Sequence, residues 1–234
     1  MGLVSIIIRT YNRGYCVEWS IKSALYQSYR DLEVLIIDDG STDNTAEVVA
    51  QFDDPRIRYV YLPHNGNVAE LANIGLHMST GDYIAFLDSD DMYLSGFVET
   101  LMDAMRVDGT EVAFSWIGSH RNELATYEAM LAKGNGFQGG AFIASRRAYD
   151  IIGDYDTDTG AWIDDDITWR FARVFRVTLV PEVLELMSGK RPDQMTQQRS
   201  YIAEYQMLLD KWAGEIVRVC GPETLEKHRG RHER

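Results

Sequence analysis

Several stretches of this chain gather oxygen-bearing side chains at the ends of apolar runs. Residues 83–91 read YIAFLDSDD, so Asp88, Asp90 and Asp91 fall within four positions after a run that reads as a buried strand. At about 4 Å and an effective dielectric near 20, each like-charged pair costs roughly 4 kcal/mol. A cation is therefore expected among them. Residues 32–45, LEVLIIDDGSTDNT, repeat the arrangement with Asp38 and Asp39, and residues 4–13, VSIIIRTYNR, end on Thr10, Tyr11, Asn12 and Arg13. A further acidic group, Asp164, Asp165 and Asp166, opens the helical stretch DDDITWRF. Carboxylates so placed can ligate a hard divalent cation, accept an N–H from a ligand or take a proton as a general base.

Such groups need a scaffold that brings distant segments together. The β-branched run at 4–10 is continuous rather than alternating, as in a strand covered on both faces of a parallel sheet. In CVEWSIKSALYQSY, Val17, Ile21, Ala24, Leu25 and Tyr29 recur at helical spacing. A second strand ends at Asp38 and Asp39, and Asp43 or Thr42 can cap the helix NTAEVVAQF. IRYVYLP is predicted as a third strand, NVAELANIGLHMS as a third helix and DYIAFL as a fourth strand. This alternation predicts right-handed βαβ units and a parallel sheet, whose ligands bind beyond the carboxyl ends of the strands. The polar clusters after the first, second and fourth strands fall there.

Beyond about residue 105 the rhythm loosens. TEVAFSWIG is predicted as a strand, NELATYEAMLAKG as a helix, and GGAFIASRRAYDIIG as a strand followed by a short helix. The acidic stretch then leads into a helix whose Ile167, Phe171 and Val174 are expected to face the core. RVTLVPEVLEL reads as one or two strands and SYIAEYQMLLDKWAGEI as an amphipathic closing helix. With 234 residues, 45% of them hydrophobic, the chain can bury one large α/β core.

A net charge of -13 argues against a general nucleic-acid binder, which would present a basic face to phosphates. Cys16 and Cys220 fit neither a disulfide framework nor a metal-ligand spacing and are expected as reduced thiols. No basic leader with an apolar core opens the sequence, and no apolar stretch is long enough to cross a bilayer, so a soluble, cytoplasmic protein is expected. The basic residues Lys227, Arg229, Arg231 and Arg234 mark the end of the chain. They are expected as a frayed, solvated tail. Their alternative use is peripheral contact with the inner face of an anionic membrane, at about 1 kcal/mol per basic residue.

In this order, VSIIIRTYNR, LEVLIIDDGSTDNT, HNGNVAELANIGL, STGDYIAFLDSDD and DDDITWRF resemble the family 2 glycosyltransferases of the GT-A fold, over roughly residues 3–190. The resemblance implies a Rossmann-like, mostly parallel sheet flanked by helices. It divides one compact domain into a donor-binding half (1–105), a less regular acceptor-binding half with the catalytic base (106–195) and a C-terminal helix and tail (196–234). It implies an inverting enzyme that uses Mn2+ or Mg2+ to move a sugar from a nucleotide-diphosphate donor to a hydroxyl of a saccharide or lipid-linked acceptor. Tyr11 would stack on the base beside Thr10, Asn12 and Arg13, and Asp39, next to Asp38, would accept an N–H from it. Asp90 would ligate the metal, Asp88 would meet ribose, metal or metal-bound water, and Asp91 would support both.

For the base, aligning the family arginine with Arg170 and its aliphatic neighbour with Ile167 selects Asp164. Ile163 then stands where a glutamate is usual, and Asp165 and Asp166 stay open as rivals. Ala72 replaces a common family arginine, while Lys190 and Arg191 are placed to reach the diphosphate. Two other readings compete: a haloacid-dehalogenase-type phosphatase, with the strand-end aspartate as nucleophile, and a non-catalytic nucleotide-sugar binder. The phosphatase would normally begin with this strand, and would want Thr or Gly where Asp91 and Met92 stand.

Overall fold

A computed structural model describes residues 2–118, 126–133, 141–188 and 200–230. Four strands, β1 (Val4–Thr10), β2 (Leu32–Asp38), β3 (Ile57–Tyr61) and β4 (Tyr83–Asp88), lie parallel in the order β3-β2-β1-β4. The sheet continues through β7 (Phe142–Ser145), antiparallel to both β4 and β6 (Val112–Ile117). Next comes β8 (Thr178–Leu186), parallel to β6, with the two-residue β5 (Met92–Tyr93) antiparallel at the edge. The parallel half matches the predicted βαβ rhythm, and the loosened half is where the sheet becomes mixed.

Continuous apolar runs form these strands because both faces are covered. Ile7, Leu35, Ile37 and Phe86 pack in one core with residues of α3 (Val68–Met78) and α7 (Ile163–Val174). Ile6, Ile8, Val34 and Ile36 point the other way, into a core shared with α1 (Val17–Leu25), α2 (Thr45–Val49) and α4 (Phe97–Asp108). Full burial of each such side chain contributes about 1.5–3 kcal/mol. The register then sets the site: Thr10 lies opposite Asp38, and Arg9 opposite Asp88.

Turn chemistry holds the strand ends. Asp43 Oδ1 accepts from the Thr45 N–H at 2.9 Å at the start of α2, and Asn67 accepts from the Ala69 and Glu70 N–H groups at the start of α3. Gly40 follows Asp39 at φ 77°, and a Cβ there would stand 2.6 Å from the backbone nitrogen of His64. Only glycine admits both that dihedral and that approach.

Two expectations differ from the structure. Ile167 and Phe171 are fully buried, but Val174 is 54% exposed, because it is the last residue of α7 and the chain becomes extended at Phe175. The supposed tail begins with a helix, α9 (Pro222–Arg229), whose His228 is buried between the Tyr205 hydroxyl at 3.0 Å and the Leu131 carbonyl at 2.8 Å. Its basic residues are partly engaged within the fold, since Arg229 pairs with Asp210 at 2.8 Å, and Arg231 and Arg234 lie outside the described residues. The helix expected over 122–134 is present as α5 (Tyr127–Lys133), and positions 122–125 and 134 lie outside the described residues. Among the described residues no helix is long and apolar enough to cross a membrane.

Replacing Gly40 by alanine combines a strained dihedral with a backbone clash and is expected to destabilise the fold by about 3 kcal/mol. Gly109→Ala, at φ 64° with nothing within 4 Å of the new Cβ, should cost about 1 kcal/mol. Thermal melts read the contrast at about 2–4 °C per kcal/mol. Equal losses would contradict the close approach of residues 40 and 64.

Candidate active site at the strand ends

The segment after β1 is bound to the loop after β2. Asn12, in the left-handed region at φ 51°, donates its N–H to Ser41 Oγ at 2.8 Å and accepts through Oδ1 from the Thr42 N–H at 2.8 Å. The Arg13 N–H donates to Thr45 Oγ1 at 2.9 Å. Asp38 is fully buried and accepts from the Ser41 N–H at 2.7 Å and the Tyr59 hydroxyl at 2.6 Å. Burial first, and then that hydrogen bond, push the Tyr59 phenol well above its ordinary range. Asn12 and Asp38 thus shape the loop, while the neighbouring Tyr11 and Asp39 line a face.

Asp39 is 2% exposed and accepts from the N–H groups of Asn65 and Gly66, both at 3.0 Å. His64 adds a third contact, with Nδ1 2.7 Å from Asp39 Oδ2. The same imidazole stacks on Tyr11, with centroids 4.1 Å apart and planes within 10°. Thr10 Oγ1, buried beside them on β1, has no hydrogen-bond partner among the described residues. That orphaned oxygen, two N–H donors holding a carboxylate and a flat aromatic face together suit a planar polar ligand.

One strand over, a cationic side chain meets the first acid of the DSDD turn. Arg9 donates to Asp88 Oδ1 at 2.9 Å, with its side chain 11% exposed and its guanidinium 5.6 Å over the Phe86 ring. Burial alone would lower its pKa, but the charges of Asp88 and Asp164 outweigh that and hold it above its ordinary value. Asp90 Oδ2 accepts from Ser188 Oγ at 3.0 Å, and the buried Asp91 accepts from the Ser188 N–H at 2.7 Å. The acidic turn is therefore tied to the chain leaving β8. Lys190 and Arg191, two and three positions after Ser188, lie outside the described residues.

Within α7 the three acids have separate surroundings, because successive helical residues point about 100° apart. Asp166 is fully buried, 2.9 Å from Arg170 Nε, 2.7 Å from Lys211 Nζ and 2.8 Å from the Trp212 indole nitrogen. Arg170 also donates to the carbonyls of Ile152 and Asp154, so this pair staples α7 to its neighbours. Asp165 is buried at 3% exposure. Asp164 is partly exposed, and its charge acts on Arg9, Tyr149 and Tyr155. Both tyrosines are raised, by burial foremost. The Asp164 charge thus acts on the same guanidinium that holds Asp88.

Among the described residues no cluster of three or more His, Cys, Asp or Glu is assembled for a metal. Magnesium-like ions need fewer, since one or two carboxylates suffice when phosphates and water complete the shell. Asp88 and Asp90 are partly exposed oxygen donors on one turn and fit that requirement. A cavity of about 500 Å³ lies elsewhere, lined by Lys22, Tyr26, Arg30, Phe52 and neighbours. It sits near the opposite ends of the strands, since Arg30 precedes β2, and it has no part in this cluster. Arg9, His64 and Ser188 were not singled out in the sequence. A lone charge inside VSIIIRT was the one available signal, because a buried guanidinium requires a partner.

Residues 5–171 match the family described as Glycosyl transferase family 2, and the chain belongs to that family. It resembles the glycosyltransferase GlyG of Streptococcus pneumoniae, 32% identical over 51% of this chain and 40% of that one. It also resembles the GalNAc(5)-diNAcBac-PP-undecaprenol beta-1,3-glucosyltransferase of Campylobacter jejuni, 41% identical over 44% of this chain and 34% of that one. The chain spans less than half the length of these curated relatives. Its fold is the GT-A fold: S. aureus TarS 1-349 in complex with UDP-GlcNAc superposes at a TM-score of 0.74 and 15% identity, over 97% of this chain and 70% of that one. The mannosyltransferase PcManGT from Pyrobaculum calidifontis, in complex with GDP-Man and Mn2+, does so at 0.71 and 20% identity, over 97% and 68%.

The differing surroundings of the α7 acids predict different stabilities. Asp166→Ala removes the buried carboxylate shared by Arg170, Lys211 and the Trp212 indole N–H and should cost about 3 kcal/mol, while Asp164→Ala should melt within about 0.5 kcal/mol of the parent. Equal melting temperatures for the two variants would contradict the assignment of Asp166 to the staple.

Proposed function

We propose that the chain is an inverting, metal-dependent glycosyltransferase. It moves a sugar from a nucleotide-diphosphate donor to a hydroxyl of a saccharide or lipid-linked acceptor, in the making of a cell-surface glycoconjugate. The observation that carries this reading is the arrival of Tyr11, Asp39, Asp88 and Asp90 at one edge of the sheet, beside an Arg9 whose pKa the charge of Asp164 also raises. The structural neighbours add support, TarS having been solved in complex with UDP-GlcNAc and PcManGT with GDP-Man and Mn2+. Curated relatives are named for undecaprenol-linked substrates, including an Escherichia coli UDP-Glc:alpha-D-GlcNAc-diphosphoundecaprenol beta-1,3-glucosyltransferase. The proposed place of work is accordingly the cytoplasmic face of a membrane, approached peripherally.

In this reading residues 1–105 hold the donor. The base lies on Tyr11 and donates an N–H to Asp39, with Thr10 and Arg13 at its edge. Asp88, oriented by Arg9, would face the ribose or the ion's hydration shell, and Asp90 would hold a divalent cation, Mn2+ or Mg2+. A bound ion there would offset the charge that builds on the leaving diphosphate. Residues 106–195 receive the acceptor. Its hydroxyl oxygen bonds to the anomeric carbon as the bond from that carbon to the diphosphate oxygen breaks, and Asp164 takes the hydroxyl proton. A phosphatase reading would need Asp88 as nucleophile, and its Oδ1 is instead held by a buried guanidinium.

A thermal-shift panel of UDP- and GDP-sugars with and without Mn2+ should single out the donor, because a ligand that binds the folded state raises its melting temperature. With that donor, Asp164→Asn should lower kcat by about 10²–10⁴-fold and leave KM near the parent value. Asp90→Asn should lose stimulation by Mn2+ while folding normally. Full turnover in Asp164→Asn would move the base elsewhere on α7, and unchanged metal stimulation in Asp90→Asn would remove the ion from this turn.

A further inference from the structure

We propose that His64 is a resident competitor for the nucleobase: its imidazole occupies the seat formed by Tyr11 and Asp39, and the donor binds only when that ring swings out. The inference rests on the reading that the base stacks on Tyr11 and bonds to Asp39. The imidazole already makes both of those contacts, lying 4.1 Å from the Tyr11 ring at an interplanar angle of 10° and 2.7 Å from Asp39 Oδ2. Its Nδ1 also lies 3.0 Å from the Asp39 carbonyl oxygen. Both neighbours of Nδ1 are acceptors, so that nitrogen carries the hydrogen, which it donates to the Asp39 carbonyl while standing 2.7 Å from the carboxylate oxygen a base would use. Two planar rings cannot occupy one stacking face at once.

The surroundings let the ring leave without disturbing the seat. Asp39 keeps the N–H donors of Asn65 and Gly66 whether or not the imidazole is there. The backbone of His64 is fixed against Gly40, and the Leu62 N–H donates to the Asp38 carbonyl at 2.9 Å. The side chain itself is 47% exposed, so rotation about its own bonds carries it into solvent. The nearest atoms to a Cβ built on Gly66 are imidazole Cε1 and Nε2, at 3.8 and 3.9 Å, so the glycine leaves open space on that side of the ring. The seat is thus preformed and self-occupied. The apparent dissociation constant of a nucleotide then equals the intrinsic one divided by the fraction of molecules with the ring out.

Calorimetric titration of UDP and GDP, each with Mn2+, into the parent, His64→Ala and Tyr11→Ala proteins tests this. The proposal expects His64→Ala to bind the preferred nucleotide about tenfold more tightly, equivalent to about 1.4 kcal/mol, and Tyr11→Ala to bind it more weakly. In the parent protein, the ring-proton NMR signals of His64 should leave the Tyr11 ring current on saturation with nucleotide. If Tyr11→Ala weakens binding but His64→Ala binds equally or less well, His64 is a wall of the site and this inference is overturned while the nucleotide reading stands. A His64 signal that stays shifted in the bound state overturns it as well. If neither nucleotide binds any of the three proteins, the nucleotide reading fails and takes the inference with it.

Discussion

The Arg9–Asp88 ion pair is the interaction on which the site depends. Asp39, Asp88, Asp90, Asp91 and Asp164 gather about one edge of a largely apolar sheet, and their mutual repulsion would favour any arrangement that separated them. A guanidinium set inside β1 offsets part of that repulsion from within the fold. It reaches Asp88 because the parallel register places residue 9 opposite residue 88. Its charge is also felt by Asp164 from the other half of the chain. Arg9 therefore links the proposed donor carboxylate to the proposed base, and leaves the neighbouring Asp90 as the carboxylate better placed for an external cation.

Positioning is divided between strands and loops. The strands set the height at which each polar group emerges, and the loops fix the direction in which it points. Asn12 and Asp38 are committed to the loop after β2, and this holds Tyr11 and Asp39 on a common face. Ser188 performs the same service for Asp90 and Asp91 from the far side of the sheet. A planar, anionic ligand with an N–H edge and a diphosphate would meet an aromatic face, a carboxylate and a metal-binding turn in sequence along this edge. That order is the reason a nucleotide sugar is the proposed donor.

Much of this was legible in the sequence, for definite reasons. A continuous β-branched run such as VSIIIRT has few destinations other than a strand covered on both faces, so β1, β2 and β4 and the polar residues at their ends could be located directly. The rivalry among Asp164, Asp165 and Asp166 could not be resolved in the same way. Their roles depend on which helical direction meets Arg170, Lys211 and Trp212, and two of those partners lie more than forty positions away. His64 was illegible for a similar reason, since its stacking on Tyr11 joins two loops distant in sequence. The helix at Pro222–Arg229 was hidden by its charges. Its packing rests on Leu225 and on a histidine buried by partners from α5 and α8 (Ser200–Cys220).

The most direct test of the account is a crystal structure with UDP or GDP and Mn2+, in which the anomalous signal of manganese locates the ion. The account predicts one strong peak at bonding distance from an Asp90 carboxylate oxygen and from the diphosphate, with the base against Tyr11. A nucleotide bound elsewhere, or a manganese peak away from the turn after β4, would contradict it.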